Sequence, residues 1–228
     1  ANIACGFHAS DPVVMSRTVK MAAESGVAAG AHPGYQDLVG FGRRNMKVAP
    51  AEVTDIVMYQ IGALEAFCRA NGIAMQHVKP HGAMYNMAEK DDKLAEAICQ
   101  GIKAVNPDLI LLGPGSGKMV KAAKALGLQT AGEVFADRAY MEDGTLVPRS
   151  QEGAMITDEE EAVARVLEMV QKGTVTAITG KKIEVQADSI CVHGDGQKAL
   201  LFVQKIRSEL EKAGVVIAPM KEVIVGES

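Results

Sequence analysis

The chain has 228 residues, of which 48% are hydrophobic and 23% charged, so it is long enough and apolar enough to fold around a sizeable core. Its formal net charge of -4 comes from acidic residues spread along the chain, without the basic runs that bind nucleic acid or anionic lipid. No segment is apolar over the length that a membrane span needs, and no leader-like segment opens the chain. We therefore expect a cytoplasmic protein that binds neither nucleic acid nor membrane.

The four cysteines show neither a metal motif nor a disulfide framework. None of them stands in a CxxC spacing, and two lie inside apolar runs where a thiol behaves as a small hydrophobic group. We expect all four to be reduced core residues, namely Cys5, Cys68, Cys99 and Cys191.

Short apolar runs alternate with amphipathic segments along most of the chain, which is the pattern of repeated strand–helix units. The predicted strands cover residues 3–5, 27–31, 75–79, 109–112, 129–134, 189–193 and 215–218. Asp11 followed by Pro12 predicts the start of the first helix, and Gly26 predicts its end. Another helix is predicted from Pro50 to the glycine at position 72.

Two features in the second half of the chain depart from simple repetition. Thr157 to Glu160 form a capping box that predicts a helix start. Residues 174–179 and 182–186 alternate in polarity around Gly180 and Lys181, which predicts a small hairpin inserted near 174–187.

Strands that alternate with helices favour a parallel sheet, and about seven such units favour a closed barrel over an open sheet. We therefore predict an α/β fold in which residues 1–228 form a single (β/α)-barrel domain, either seven-stranded or a distorted TIM-like barrel. In either architecture, the loops that follow the carboxyl ends of the strands gather on one face. Side chains for chemistry are expected there.

Four of the five histidines stand where a predicted strand runs into a loop beside glycine. Imidazole is a general base or metal ligand at neutral pH, and neighbouring glycines let a ligand approach the backbone closely. One such histidine often does no more than bind a loop, but four together predict a functional cluster. They are His8, His32, His81 and His193.

Lys79 joins this set because it alternates with His77 and His81, so that the three side chains point to one side of an extended strand. A lysine on the inward face of a strand must be paired or hydrated, which favours a role in binding an anion or stabilising charge. For His77, we favour a buried core histidine with satisfied hydrogen bonds over a functional residue.

Several other polar residues lie near or beyond the ends of predicted strands. Asp195 lies two residues beyond His193 and directly before a helix, so it is a candidate catalytic carboxylate and equally a helix cap. Glu133, Asp137 and Arg138 could bind substrate or phosphate, or could form an ion pair at the surface.

Arginines in two long loops could hold a carboxylate or phosphate as lids, although exposed loop arginines are often only solvated. They are Arg43, Arg44 and Arg149. Residues 113–118 follow a strand and open a helix as a phosphate loop does, but Leu112 and Met119 break the Walker pattern. The segment predicts at most a general anion site at a helix N-terminus.

Two or three histidines together with an aspartate could also bind a divalent metal, as in hydrolases whose metal activates water. The candidate ligands are His8, His32 and His81. Their separations in sequence do not form a fixed metal motif, so the sequence leaves a metal site open.

Five segments carry longer motifs: NIACGFHA at 2–9, AHPGY at 31–35, VKPHGA at 78–83, EVFADR at 133–138 and ICVHGD at 190–195. In this order they resemble the LamB/YcsF family, and the resemblance spans nearly the whole chain. It implies a barrel related to the glycoside hydrolase/deacetylase group. It also implies an additional strand rich in carboxylates ahead of Ala1, so further site residues are expected there.

The resemblance further implies ATP-dependent opening of the lactam 5-oxoproline to L-glutamate, with Mg²⁺ accompanying ATP, by a chain that acts with separate 5-oxoprolinase subunits B and C. Two alternatives stay open. One is a metal-dependent deacetylase acting on amides or N-acetyl sugars without ATP, and the other is a non-catalytic subunit that binds substrate or partners. The sequence also leaves assembly with further copies of itself open.

Overall fold

The computed structural model describes residues 1–193 and 199–225. They form two compact units, one made of residues 1–113 and 117–130, the other of residues 114–116 and the chain from 131 onward. Strands in each unit pair in parallel and are joined through helices, which confirms the predicted α/β class. Among the described helices, none combines the length and the apolar character needed to cross a membrane.

The first unit is built on four parallel strands with helices between them. In chain order it contains β1 (Asn2–Ala4), α1 (Pro12–Glu24), β2 (Ala29–His32), α2 (Pro50–Ala70), β3 (Met75–Val78), α3 (Gly82–Ala88), α4 (Asp92–Val105), β4 (Ile110–Gly113) and α5 (Lys118–Ala125). β1 pairs with β2, β2 with β3, and β3 with β4. Since neighbouring strands are parallel, their carboxyl ends lie at the same edge of this sheet.

Local signals set the helix ends of this unit as the sequence predicts. The Asp11 carboxylate accepts hydrogen bonds from the backbone N–H groups of Val13 and Val14, and Pro12 occupies the first turn of α1. Gly26 and Gly72, just beyond α1 and α2, have φ of 64° and 69°, which glycine adopts without strain. Helix α2 places an apolar stripe against the core, interrupted by one buried amide, Gln60.

The second unit contains a parallel strand pair, a hairpin and three helices among its described residues. They are β5 (Thr130–Phe135), α6 (Glu159–Lys172), β6 (Thr174–Thr176), β7 (Lys182–Glu184), β8 (Ser189–Cys191), α7 (Ala199–Lys212) and α8 (Met220–Val225). β5 pairs with β8 in parallel, and β6 pairs with β7 in antiparallel fashion around Gly180, where the sequence predicts the hairpin. The cap of α6 is Asp158, one residue later than predicted, and its carboxylate accepts from the Glu161 N–H.

The strand predicted at 215–218 is wrong: the described backbone there is irregular. The Val215 N–H donates to the carbonyl of Leu210, and Gly214 takes a φ of 80°, so these residues close the end of α7. Val216 is 84% exposed and no described strand pairs with it. An apolar run without a neighbouring strand has no partner for its backbone groups, which is why this one does not form a strand.

All four cysteines are free and buried, as predicted. His77 is also buried, with its Nε2 lying 2.8 Å from Asn2 Oδ1. Its Nδ1, however, has no hydrogen-bond partner among the described residues, so the expected fully satisfied histidine is only half confirmed. The imidazole packs on Gly30 of β2, where an added Cβ would lie 2.1 Å from His77 Nε2.

Replacing Gly30 should therefore test how tightly the first unit is packed. We expect Gly30→Ala to lower the free energy of unfolding by about 2 kcal/mol or more, because the methyl group overlaps a buried ring flanked by strands. The control is Gly62→Ala on the exposed side of α2, where an added Cβ meets nothing within 4 Å. It should raise stability by up to about 1 kcal/mol. Urea unfolding measures both, and an unchanged Gly30→Ala midpoint would contradict this packing.

Candidate functional site

The parallel ladder between β2 and β3 continues beyond both strands and brings two histidines together. The Lys79 N–H donates to the Ala31 carbonyl over 2.9 Å, and the His81 N–H donates to the Pro33 carbonyl over 2.8 Å. His32 ends β2 and His81 precedes α3, so this pairing places their rings side by side with centroids 4.8 Å apart. The motifs at 31–35 and 78–83 therefore meet at the carboxyl edge of the sheet.

His8, from the loop after β1, completes a group of three imidazoles. Its ring stacks on that of His81 with centroids 3.7 Å apart and planes 2° apart, and it meets the His32 ring edge-on. One ring nitrogen from each histidine lies within 4.8 Å of the others. His8 and His81 are 2% and 7% exposed and His32 is half-buried, so water reaches this cluster mainly at His32.

Backbone carbonyls determine where the ring protons lie in two of these imidazoles. His32 Nδ1 lies 2.6 Å from the Lys79 carbonyl oxygen, and His81 Nε2 lies 2.7 Å from the Phe41 carbonyl oxygen. A carbonyl oxygen only accepts, so both of these nitrogens must donate. The remaining nitrogens, His32 Nε2 and His81 Nδ1, face each other at 3.0 Å.

The surroundings favour neutral rings in two of these histidines. Burial, followed by the charges of His81 and Arg43, lowers the pKa of His8 to about 3. Burial also lowers the pKa of His32 well below its usual range, and the nearby charge of Lys79 acts in the same direction. Neutral imidazoles are the form that binds a metal ion or accepts a proton.

Lys79 is 5% exposed and lies directly after β3, next to the imidazoles. Its ammonium charge acts on both His32 and His77. A buried ammonium group of this kind attracts an anion, which fits the predicted role for Lys79 in holding a carboxylate, a phosphate or an oxyanion.

Two glycines let the backbone approach the His8 ring closely. A Cβ at Gly34 would lie 2.8 Å from His8 Nδ1, and a Cβ at Gly42 would lie 2.7 Å from His8 Cβ. The side chain of Gln60 holds Gly34 in place, since its Oε1 accepts from the Gly34 N–H at 3.0 Å and its Nε2 donates to the Gly34 carbonyl at 2.9 Å. A larger residue in place of either glycine would displace the ring.

A turn at residues 37–44 supplies the carbonyl that holds His81. Asp37 has a side chain that is 1% exposed, and its carboxylate accepts from the Gly40 N–H and from the Arg44 guanidinium. Phe41 in this turn has a φ of 54°, a strained value for a residue with a side chain, and it directs its carbonyl at His81. The pairing of Asp37 with Arg44 therefore positions an imidazole.

Arg44 is thus held within its own loop, which differs from the expected free lid. Arg43 lies over the Phe41 ring, with its guanidinium carbon 5.0 Å from the ring centroid. Arg149 reaches the fourth strand-end histidine, in the second unit, where Nη2 lies 3.3 Å from His193 Nε2.

In the second unit, His193 forms a hydrogen-bonded pair with Asp137. His193 Nδ1 lies 2.8 Å from Asp137 Oδ2 and donates to it, and this leaves Nε2 as the acceptor that faces Arg149. Burial acts to raise the pKa of Asp137, but the hydrogen bond and charge of His193, together with Arg149, lower it below its usual value. The predicted carboxylate Asp195 lies outside the described residues.

These three side chains line a cavity of about 320 Å³ together with apolar groups that include Met155 and Phe202. A cavity of this size accommodates a small molecule. Asp137, His193 and Arg149 therefore form a second polar cluster, with a fixed imidazole tautomer beside a cation.

Glu133 and Arg138 are buried at 3% and 4% exposure, which rules out the surface ion pair considered from the sequence. Glu133 lies in the middle of β5 opposite Ser189 of β8. The Arg138 Nη2 donates to the Val147 carbonyl. Both residues thus lie inside the second unit, and a direct role in binding substrate or phosphate stays a prediction.

The anion site predicted at 113–118 is wrong, because a side chain of the protein already fills it. The Glu89 carboxylate accepts from the backbone N–H of Lys118 at 2.8 Å and of Met119 at 3.2 Å, at the first turn of α5. A Cβ at Gly117 would lie 2.2 Å from Glu89 Oε2, which shows how closely this carboxylate fits. Glu89 thus binds two of the N–H groups that a helix N-terminus leaves without a partner inside the helix.

Sequence reasoning missed Gln60, Asp37 and Glu89, which all act on backbone groups. Gln60 could have been found from the sequence, because it is a polar residue at a buried position of the apolar stripe of α2. Glu89 carried no signal, because its partners Lys118 and Met119 lie far from it in the chain. Asp37 binds Gly40 and Arg44 within one turn, but no predicted helix or strand marked that turn.

The link between Asp37 and Arg44 predicts a pH dependence of stability. Hydrogen bonds from Arg44, chiefly, lower the pKa of Asp37 to about 2, whereas an unfolded chain has an aspartate pKa of about 4. The ionised group therefore stabilises the fold above about pH 4, and this contribution is lost as the pH falls towards 2. Asp37→Asn should be less stable than the wild type at pH 7, and the difference in urea midpoint should shrink across that window.

The control for this measurement is Asp92→Asn, which removes an exposed ion pair with Lys118. Exposed pairs add little stability, so this variant should differ less from the wild type. A difference for Asp37→Asn that stays constant from pH 5 down to about pH 2 would contradict the assignment.

The chain matches known proteins over almost its whole length. It matches the LamB/YcsF family over residues 1–225. The A subunit of 5-oxoprolinase from Clostridium beijerinckii is 63% identical over 98% of this chain and 88% of that protein. Proteins of the same name from Bacillus subtilis and Pyrococcus abyssi are 55% and 53% identical, over 97% and 98% of this chain and 86% and 88% of their own lengths.

A solved structure, that of the lactam utilization protein from Thermus thermophilus, superposes on this chain with a TM-score of 0.88. It is 46% identical, and the match covers 95% of this chain and 87% of that one. The two chains therefore share a fold, in agreement with the predicted class. The resemblance seen in the sequence motifs is confirmed, and the chain belongs to the LamB/YcsF family.

Proposed function

We propose that this chain is a subunit of an ATP-dependent amidohydrolase that opens 5-oxoproline to L-glutamate. The observation that carries the proposal is the family match over residues 1–225, together with curated relatives that are named as the A subunit of 5-oxoprolinase. The two polar clusters support it, because opening an amide requires groups that move protons and groups that stabilise negative charge.

The relatives are named as one subunit of an enzyme, which supports a chain that acts with others, and we propose 5-oxoprolinase subunits B and C as its partners. Residues 113–118, where the sequence comes nearest to a phosphate loop, are capped by Glu89. This favours an ATP–Mg²⁺ site formed by, or shared with, a partner subunit. Four free cysteines and the proposed use of ATP support a cytoplasmic location.

Coupling to ATP would make a lactam, which water hydrolyses only slowly, easier to open. A five-membered lactam is a resonance-stabilised amide, so water attacks its carbonyl carbon slowly. Transfer of the terminal phosphoryl group of ATP to the lactam oxygen, with ADP as the leaving group, would open this carbon to attack by water. A proton delivered to the ring nitrogen would let the C–N bond break, and a second water would hydrolyse the resulting acyl phosphate to L-glutamate and phosphate.

We assign the proton transfers to the histidines and the charge stabilisation to the cations. His193 can take a proton at Nε2 because Asp137 holds its Nδ1–H, while Lys79 and Arg138 would stabilise charge on substrate or phosphate. His8, His32 and His81 remain the proposed catalytic imidazoles of the first unit. Glu133 stays a proposed substrate- or phosphate-binding residue, and Asp195 a proposed catalytic carboxylate.

A metal-dependent amide or N-acetyl-sugar deacetylase that needs no ATP is the second candidate. The three clustered imidazoles favour it, since they could hold a metal that activates water. The two functions separate cleanly in an assay, because only the first requires ATP and releases glutamate from 5-oxoproline.

The test is glutamate release from 5-oxoproline in a complex reconstituted with both partner subunits. We expect release to require ATP and this chain, and His81→Gln or His193→Gln to lower turnover by roughly a hundredfold or more, as loss of a proton-transferring group does. Gly62→Ala, on the exposed side of α2, is the control and should keep wild-type turnover.

Each other outcome counts against a specific part of the proposal. Glutamate release that proceeds at full rate without this chain would overturn the function. Full activity in both histidine variants would leave the chain as a non-catalytic partner. Amide hydrolysis that needs a metal but no ATP would support the deacetylase function instead.

A further inference from the structure

We propose that an exposed apolar surface beside the imidazoles of the first unit is where a partner subunit docks, and that the partner presents an apolar pocket rimmed by carboxylates. This surface, the docking patch, consists of Phe7, Leu38, Val39, Phe41 and Tyr59. The inference rests on the proposed function, because it takes the partner to be another subunit of the same enzyme.

The docking patch exposes large apolar side chains that adjoin one another. The exposed fractions are 92% for Val39, 66% for Tyr59, 64% for Leu38 and 41% for Phe41. Phe7 connects the turn to helix α2, since its ring centroid lies 5.4 Å from that of Tyr59 and its carbonyl accepts from the Asp37 N–H at 3.1 Å. Single exposed apolar residues are ordinary on a protein surface, whereas a contiguous group of them marks an interaction site.

Backbone hydrogen bonds hold the tip of this patch in one conformation. The Phe41 N–H donates to the Leu38 carbonyl at 3.3 Å. The Gly42 N–H donates to the Asp37 carbonyl at 2.8 Å. A turn that is already ordered loses little conformational entropy when a partner binds it, so the burial of its apolar groups contributes more fully to affinity.

Cations surround the apolar tip and define the charge of the partner. The Arg43 guanidinium carbon lies 5.0 Å from the Phe41 ring centroid, and the Arg44 side chain is 65% exposed. The one acidic residue of the turn at 37–44, Asp37, is buried and pairs with Arg44. A second copy of this chain that docked symmetrically would bring these cations against each other. A different chain that carries carboxylates around an apolar pocket is the complementary partner.

The docking patch also lies directly next to the proposed catalytic imidazoles. The Phe41 ring meets the rings of His8 and His81 edge-on, with centroids 5.6 and 5.3 Å apart, and the Phe41 carbonyl lies 2.7 Å from His81 Nε2. A subunit that covers Phe41 is therefore one side chain away from these imidazoles. In the proposed function an ATP–Mg²⁺ site is formed by, or shared with, a partner, and docking at this patch would bring that site next to the histidines.

An anionic membrane also attracts apolar tips flanked by cations, but two observations favour a protein. The curated relatives are named as one subunit of an enzyme, which supports a protein partner. The contact of Phe41 with two imidazoles would also leave a lipid surface in the path of a small substrate.

The test measures binding of the full chain to 5-oxoprolinase subunits B and C, singly and together, by isothermal titration calorimetry. Val39→Asp puts a carboxylate into the apolar contact, and Arg43→Glu reverses a charge that faces the carboxylates of the partner. Each should weaken binding by at least about tenfold, as loss of a central interface contact does. Binding by the wild type should weaken as salt is added. Because Val39 is so exposed, its replacement removes little internal packing, and circular dichroism checks that both variants fold.

The matched controls are Met21→Asp and Arg17→Glu on exposed positions of α1, which runs back from the carboxyl edge of the sheet. Both should bind the partner subunits as the wild type does. They introduce the same acidic groups outside the docking patch, so equal weakening by the controls and the patch variants would overturn the inference.

The remaining outcomes separate the docking surface from the proposed reaction. Wild-type affinity in folded Val39→Asp and Arg43→Glu, or no binding of the wild type to either subunit, would overturn the docking surface. Dissociation of a wild-type homodimer by Val39→Asp would assign the patch to a second copy instead. Binding to phosphatidylserine–phosphatidylcholine vesicles that Val39→Asp abolishes, without an effect on subunit binding, would assign it to a membrane. Assembly that depends on the patch in a complex that releases no glutamate would support the docking surface and overturn the proposed reaction.

Discussion

The hydrogen-bond ladder between β2 and β3 is the constraint on which the arrangement of the first unit depends. It runs beyond both strands through the N–H groups of Lys79 and His81, which donate to the Ala31 and Pro33 carbonyls. Because the pairing is parallel, residues far apart in the chain end at the same edge. A shift of this register by one residue would turn each alternating side chain to the opposite face and would separate the imidazoles.

Hydrogen bonding to the second nitrogen determines the chemistry of each histidine. Carbonyls hold one nitrogen of His32 and one of His81, so that the other two nitrogens face each other at 3.0 Å. A carboxylate holds Nδ1 of His193, so that its Nε2 faces Arg149 and a cavity. The first arrangement joins two imidazoles to each other, and the second places an imidazole between a carboxylate and a guanidinium group. Four histidines with similar sequence surroundings thus acquire different roles.

Some groups that a local motif marks as ligand-binding are already bound by side chains of the same chain. The glycine-rich segment before α5 has the N–H groups of an anion site, yet Glu89 accepts from them. Arg44 looks like a free cation in a long loop, yet Asp37 binds it and the pair supports the Phe41 carbonyl. In both cases a charged group of the chain supplies what a ligand would otherwise supply, and the function therefore depends on the groups that remain.

Local sequence was enough to determine the α/β class, the helix ends and the strand-end histidines, because these depend on periodicity, capping and glycine within a few residues. It was also enough to identify the family, since the motifs are long and ordered. The strand at 215–218 failed because a strand needs a neighbour, and apolar composition alone does not provide one.

Only the tertiary structure determined which nitrogen of each imidazole carries the proton, that Gln60 and Asp37 support the site, and that Glu89 closes the helix N-terminus. Asp37 binds within its own turn, but the contact of that turn with His81 and the other properties are distances between groups far apart in the chain, which no local pattern specifies.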